Sequence, residues 1–210
     1  MTESRITFRC GDLTLEGLLA RPERSGASPA AVICHPHPMY GGSMDNNVVE
    51  AIQAAMRQRG YATLRFNFRG VGASEGEYDG GEGEAADARA AVEFLAAQPD
   101  IDCGAIALAG YSFGAAIALR AGLGDSRVMR VIAVALPVAA MDSGIDTAAA
   151  KRVVLVSGDR DAYSPIAALE KRLQKLGAAA TLRVIAGADH FFGGYEPALA
   201  GAIEGALADG

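Results

Sequence analysis

The sequence predicts an α/β fold: a mostly parallel eight-stranded sheet with an N-terminal antiparallel hairpin, helices on both faces and no sizeable lid. Three observations carry that reading. The first segment alternates apolar and polar residues at period two across a Gly-Asp turn. The remainder alternates short apolar runs with segments of helical period. Those runs are uniformly apolar, the pattern of strands buried on both faces of a parallel sheet.

Taken in order, Arg5-Ile6-Thr7-Phe8-Arg9 and Leu13-Thr14-Leu15-Glu16-Gly17-Leu18-Leu19 flank the turn Cys10-Gly11-Asp12 and form the hairpin. Residues 30–34 are a buried strand, and the helix after them carries Val49, Ile52 and Met56 on one face before stopping at Gly60. Residues 61–68 are the next strand. A Gly/Glu-rich stretch, Gly80-Gly81-Glu82-Gly83-Glu84, reads as a solvated loop opening a helix with Ala88, Val92 and Leu95 on one stripe. Residues 105–109 form a strand that leads through Ser112 into another helix, and residues 131–136 and 153–156 are further strands. The next helix takes Ser164 as N-cap and Pro165 at its first position. It turns Ile166, Leu169, Leu173 and Leu176 inward and closes at Gly177. Residues 182–185 are the last strand and residues 195–207 the last helix. No repeat, low-complexity linker or boundary interrupts this, so residues 1–210 read as a single domain. The one insertion candidate, residues 137–151, is too short for a sizeable lid.

Composition narrows the function classes. A net charge of −6 without a Lys/Arg cluster argues against a nucleic-acid partner. Met1-Thr2-Glu3-Ser4-Arg5 has no apolar signal region, so a cytoplasmic location is expected. The longest nearly uncharged run, residues 101–119, falls short of the roughly 20 apolar residues of a membrane span and contains three glycines. No membrane association is expected. Cys10, Cys34 and Cys103, odd in number and without metal-like spacing, read as reduced thiols.

The chemistry concentrates at Gly110-Tyr111-Ser112-Phe113-Gly114, between an apolar strand and a helix. A serine at such a turn, with glycine two residues to either side, can sit in a strained conformation with its hydroxyl exposed at the sheet edge. An ordinary helix N-cap is the plainer reading of Ser112, so a base and its orienter must be found. The chain has three histidines: His35, His37 and His190. His190 follows the last strand. Gly158-Asp159-Arg160-Asp161 follows the strand at 153–156 and supplies an acid ahead of it. The order is Ser, Asp, His.

With these pieces assembled, the chain resembles the α/β-hydrolase superfamily along essentially its whole length. The stretch Asn67-Phe68-Arg69-Gly70-Val71-Gly72-Ala73-Ser74 adds to the likeness. More specific is Cys34-His35-Pro36-His37-Pro38-Met39-Tyr40-Gly41-Gly42, similar to the HPHP-x-x-GG loop of small, lidless bacterial serine hydrolases. The resemblance implies Ser112 as nucleophile, His190 as general base and then acid, and Asp161 as the group that holds the imidazole. Asp161 is preferred over Asp159 because the family's acid usually sits three residues past the glycine ending that strand; Asp189 reads as a loop residue or a helix cap. The implied oxyanion hole combines the Phe113 amide with one from the loop after residue 34. Pro36 and Pro38 have no N–H, leaving His37, Met39 or Tyr40, with His37 and Tyr40 ahead.

Other readings weigh less. His35-x-His37 as a metal pair needs two further ligands and a barrel of about 250 residues, and only His190 remains. No metal or cofactor is expected. Gly70-Val71-Gly72 with Gly76 has the wrong spacing for a dinucleotide loop. Met39, Tyr40, Phe113, Phe191, Phe192 and Tyr195 are candidates for an acyl pocket, Tyr40 and Phe113 foremost because they flank the oxyanion hole. The expected function is hydrolysis of small or short-chain carboxylic esters through an acyl-enzyme. The alternatives are thioesterase, lactonase, peptidase, acyltransferase or lyase action on the same triad, or a non-catalytic ligand-binding relative.

Overall fold

A computed structural model describes residues 2–23, 26–140, 151–177 and 179–208. The hairpin is β1 (Thr2–Cys10) and β2 (Leu13–Arg21), paired antiparallel from Thr2↔Arg21 to Cys10↔Leu13. Then follow β3 (Ser28–Cys34), α1 (Asn47–Gln58), β4 (Ala62–Phe66), α2 (Glu82–Ala96), β5 (Ile101–Tyr111) and α3 (Phe113–Gly122). The chain continues through β6 (Val128–Val134), β7 (Arg152–Gly158), α4 (Ile166–Leu176), β8 (Ala180–Ile185) and α5 (Glu196–Ala208). The eight strands lie in one sheet in the order β1-β2-β4-β3-β5-β6-β7-β8. β3 to β8 run parallel, and β2 joins antiparallel at β4.

The sheet is apolar on both faces because helices cover both. Val32 and Leu108 face a core closed by α2, α3 and α4. Ile33 and Ala109, their chain neighbours, face a second core under α1 and α5. The period-two alternation of a strand thus serves two cores instead of one core and water.

Strand order reverses at β3, which has β4 on one side and β5 on the other. At such a switch point the connections leave in opposite directions and open a crevice beyond the strand ends. Cys34, the last residue of β3, pairs with Gly110 near the end of β5, so the loop after β3 and the turn after β5 meet there.

Two local expectations are corrected. α4 begins at Ile166, one residue later than expected, and Ser164 does not cap it; the Ser164 amide instead donates to Asp161 Oδ1 (3.0 Å). The Gly/Glu stretch at 80–84 is not simply solvated: Glu84 is buried, accepting the amides of Gly81 (2.7 Å) and Asp79 (2.9 Å) at the start of α2. A carboxylate with several amide donors can be buried where a bare one cannot. Most of the insertion candidate at 137–151 lies outside the described residues. No helix among the described residues is long and apolar enough to cross a membrane.

Candidate active site

Ser112 sits between β5 and α3 with φ 55° and ψ −116°, a conformation that costs a non-glycine residue on the order of 1–3 kcal/mol. The flanking glycines hold it there by close packing. A Cβ on Gly110 would lie 2.1 Å from the Gly114 carbonyl oxygen, and one on Gly114 would lie 2.3 Å from the Cys34 carbonyl oxygen. Any side chain at either position would push the turn off the sheet edge. The Ser112 amide donates to the Val134 carbonyl (2.9 Å), fixing the turn to β6.

The loop after β8 brings His190 to this turn. Its Nε2 lies 3.0 Å from Ser112 Oγ, and its Nδ1 lies 2.8 Å from Asp161 Oδ2. A carboxylate at Nδ1 fixes the proton of neutral imidazole on that nitrogen and leaves Nε2 to accept from the serine hydroxyl. Asp161 Oδ1 accepts the amides of Tyr163 (2.8 Å) and Ser164 (3.0 Å). Burial pushes the Asp161 carboxyl up, but the hydrogen bond and charge of His190, with those amides, outweigh it and hold the group below its ordinary value. Asp159 is exposed and accepts the Gly187 amide (2.7 Å), bracing the turn after β8. Asp189 accepts the Phe191 amide (3.0 Å) in the same loop.

The loop after β3 forms the opposite wall. Residues Pro38–Tyr40 make one 3-10 turn, in which the Tyr40 amide donates to the His37 carbonyl (3.1 Å) and the Met39 amide to His37 Nδ1 (3.2 Å). Both amides are therefore engaged within the turn, which removes Tyr40 as a free donor. Among the described residues the amides of Phe113 and His37 have no hydrogen-bond partner. Because His37 Nδ1 accepts a hydrogen bond, Nε2 of the neutral ring carries the proton and donates to the Tyr78 hydroxyl (3.2 Å). Burial holds His37 below its ordinary pKa, opposed by Glu84.

His35 has a different place. It is buried beneath the loop, its Nδ1–H donating to the Pro36 carbonyl (2.6 Å) and its Nε2 accepting the Phe68 amide (3.0 Å). Both nitrogens are thus occupied by backbone. Among the described residues no group of three or more His, Cys, Asp or Glu side chains is placed to hold a metal ion.

Between the walls lies a groove of about 770 Å³ that includes Ser112 and His190. Tyr40, Phe113 and Phe191 line it. Phe192 is buried in the second core, where Tyr195 packs against it, and Met39 is exposed. Sequence reasoning missed Tyr111 and Tyr163, which also line the groove. Tyr111 stands in the sequence only as part of the Gly110–Gly114 stretch, yet its hydroxyl donates to the His190 carbonyl (3.0 Å). The signal was its position beside Ser112, at the end of a strand.

Comparison with known proteins places this arrangement. A family described as X-Pro dipeptidyl-peptidase (S15 family) matches residues 12–187. The uncharacterized protein RP471 of Rickettsia prowazekii is 33% identical over 196 residues, covering 90% of this chain and 82% of the relative. Among solved structures, an alpha-beta serine hydrolase homologue from Coxiella burnetii superposes with TM-score 0.88 at 35% identity, covering 99% of this chain and 98% of that one. A Xanthomonas campestris protein described as an a/b serine hydrolase without lid gives TM-score 0.87 at 32% identity, covering 100% and 95%.

Proposed function

From the premise that the chain belongs to the S15 family of the α/β-hydrolase superfamily, we propose that it cleaves small carboxylic esters through a Ser112 acyl-enzyme. The observation that carries the reading is the unbroken hydrogen-bonded chain Ser112–His190–Asp161 beside two unengaged amides, those of Phe113 and His37.

The Ser112 hydroxyl passes its proton to His190 Nε2 as Oγ attacks the ester carbonyl. The negative charge gathers on the carbonyl oxygen, and the Phe113 and His37 amides donate to it, each worth about 3–4 kcal/mol of transition-state stabilisation. Asp161 steadies the imidazolium and keeps its ring in register. The tetrahedral intermediate collapses by breaking the bond to the alkoxy oxygen, which takes the proton from His190. Water, deprotonated by the same nitrogen, then releases the acid and restores the Ser112 hydroxyl. The reading includes small or short-chain acyl esters as substrates, a cytoplasmic setting, and no nucleic-acid or membrane partner.

The family's description favours a second reading, a peptidase that removes dipeptides from a free N-terminus. Such an enzyme must hold the substrate's ammonium group, for which a carboxylate facing the groove is the natural partner. Among the described residues no Asp or Glu lines the groove, which favours the ester.

A fluorophosphonate probe is expected to label the wild type and not Ser112→Ala, with p-nitrophenyl acetate hydrolysed, chelators without effect, and Xaa-Pro-p-nitroanilides untouched. Absence of labelling in folded wild-type protein would sink the hydrolase reading. Faster release from the anilide than from the ester would install the peptidase in its place.

A further inference from the structure

The chain has six tyrosines, seven phenylalanines and no tryptophan, yet five of these rings line the one groove beside Ser112. They fall into two sets. Tyr40 and Phe113 gather about the His37 ring, each with its centroid 4.8 Å from it. Tyr111, Tyr163 and Phe191 gather about the His190 ring at 5.5, 4.8 and 5.6 Å. The serine hydroxyl, 3.0 Å from His190 Nε2, opens into the groove that both sets line.

Three of the five are open to solvent: Tyr40 is 87% exposed, Phe191 63% and Tyr163 61%. Rings of this size are normally covered, since each can bury roughly 150–250 Å². Here they stand at the mouth of a groove that no Asp, Glu, Lys or Arg lines among the described residues. Its volume, about 770 Å³, is that of a site for a ring-bearing molecule and far more than an acetyl group fills.

We infer that the non-reacting part of the substrate is a flat, uncharged aromatic ring, held between these two sets of rings. The inference rests on the ester reading above and adds the substrate class to it. A planar ring can lie offset or edge-on against several of these faces at once, because the ring quadrupoles favour those arrangements. A puckered ring of the same size cannot. Simple apolar burial would give the opposite order, since the saturated ring is the more hydrophobic of the two.

That opposition of sign makes the test. The values of kcat/KM are compared for two matched pairs: methyl 3-phenylpropanoate against methyl 3-cyclohexylpropanoate, and benzyl acetate against cyclohexylmethyl acetate. The first pair puts the ring in the acyl group and the second in the alcohol. The aromatic member is expected to lead three- to ten-fold in at least one pair. In the double variants Tyr163→Leu/Phe191→Leu and Tyr40→Leu/Phe113→Leu, which keep apolar bulk without flat faces, the lead is expected to shrink toward unity in at least one. Equal or faster turnover of the cyclohexyl member in both pairs overturns the inference. So does an aromatic lead that both double variants leave intact. The wild-type ratios decide the sign, so a variant that fails to fold does not remove the test. Fluorophosphonate labelling separates the two readings: labelled enzyme that turns over neither aromatic ester loses only the aromatic inference, whereas unlabelled, inactive enzyme loses the ester reading and the inference with it.

Discussion

The loops after β3 and β8 each bury a histidine with both ring nitrogens engaged, and the two rings are equipped for different work. His35 is held by backbone alone, the Pro36 carbonyl on one nitrogen and the Phe68 amide on the other. Burial pushes its pKa down to about 4, and the Pro36 carbonyl and the charge of Asp87 offset that only in part. The ring is neutral at pH 7 and its proton has one fixed position. His190 faces a carboxylate on Nδ1 and a hydroxyl on Nε2. There a proton can arrive at Nε2, and the charge it brings is met at Nδ1. What equips a buried histidine as a base is an anion on its far side and a transferable proton on its near side. Without them it is a brace.

The largest effect expected from breaking this contrast is on the His190 side. His190→Ala should lower kcat on p-nitrophenyl acetate by about 10⁴-fold or more with little change in Tm, since the groups of a triad act as a unit. Asp161→Asn should cost a similar factor of about 10⁴ by favouring the wrong tautomer. Asp159→Asn retains an acceptor for the Gly187 amide and should stay within roughly three-fold of wild type. A profile in which Asp159→Asn collapses and Asp161→Asn does not would reverse the assignment of the acid.

On the His35 side the expected effect is on stability, and it depends on pH. In the unfolded chain the imidazole has a pKa of about 6.5; in the fold it is about 4. Between those values the unfolded state binds the extra proton, so unfolding becomes easier as pH falls through the window. The whole window is worth about 3 kcal/mol. His35→Gln keeps an acceptor within reach of the Phe68 amide and removes the titration. Urea titrations at pH 7 and pH 4.5 should therefore show a smaller loss of stability in the variant than in the wild type. Equal losses would mean that other groups carry the acid sensitivity.

Much of the site was legible because its parts follow local rules. The spacing of Gly110 and Gly114 about Ser112 encodes two backbone contacts that no Cβ can enter, and the order Ser112, Asp161, His190 follows the strand order of a parallel sheet. The illegible parts depend on which hydrogen-bond donors are already engaged. Nothing in the Pro36–Tyr40 stretch announces that its 3-10 turn would draw in the Met39 and Tyr40 amides and leave that of His37 unpartnered. Ser164 looked like a cap because Pro165 follows it, but its amide went to Asp161, three residues back, and the helix started later. Tyr163 reaches His190 only because the loops after β7 and β8 are neighbours, a relation of topology that periodicity does not carry.

The smallest predicted effect tests how the two loops are tied down. His35 is tied to β4's exit by the Phe68 amide. The counterpart for His190 is Tyr111, whose hydroxyl donates to the His190 carbonyl while its ring packs 5.5 Å from the imidazole. Burial, with Asp161 and Asp189 nearby, pushes the Tyr111 phenol up, so it keeps the proton it donates. Since Tyr111 precedes Ser112 in the chain, this one bond sets the main chain of His190 against the strand that leads into Ser112. Tyr111→Phe keeps the ring and removes the bond, a change of about 1 kcal/mol for a neutral pair. If the bond positions the base, kcat falls by roughly two- to ten-fold, KM holds, and fluorophosphonate labelling of Ser112 slows in proportion. A bond that only stabilises the fold would lower Tm and leave kcat per folded molecule unchanged, and the β8 loop would then be braced by backbone in the same way as its counterpart after β3.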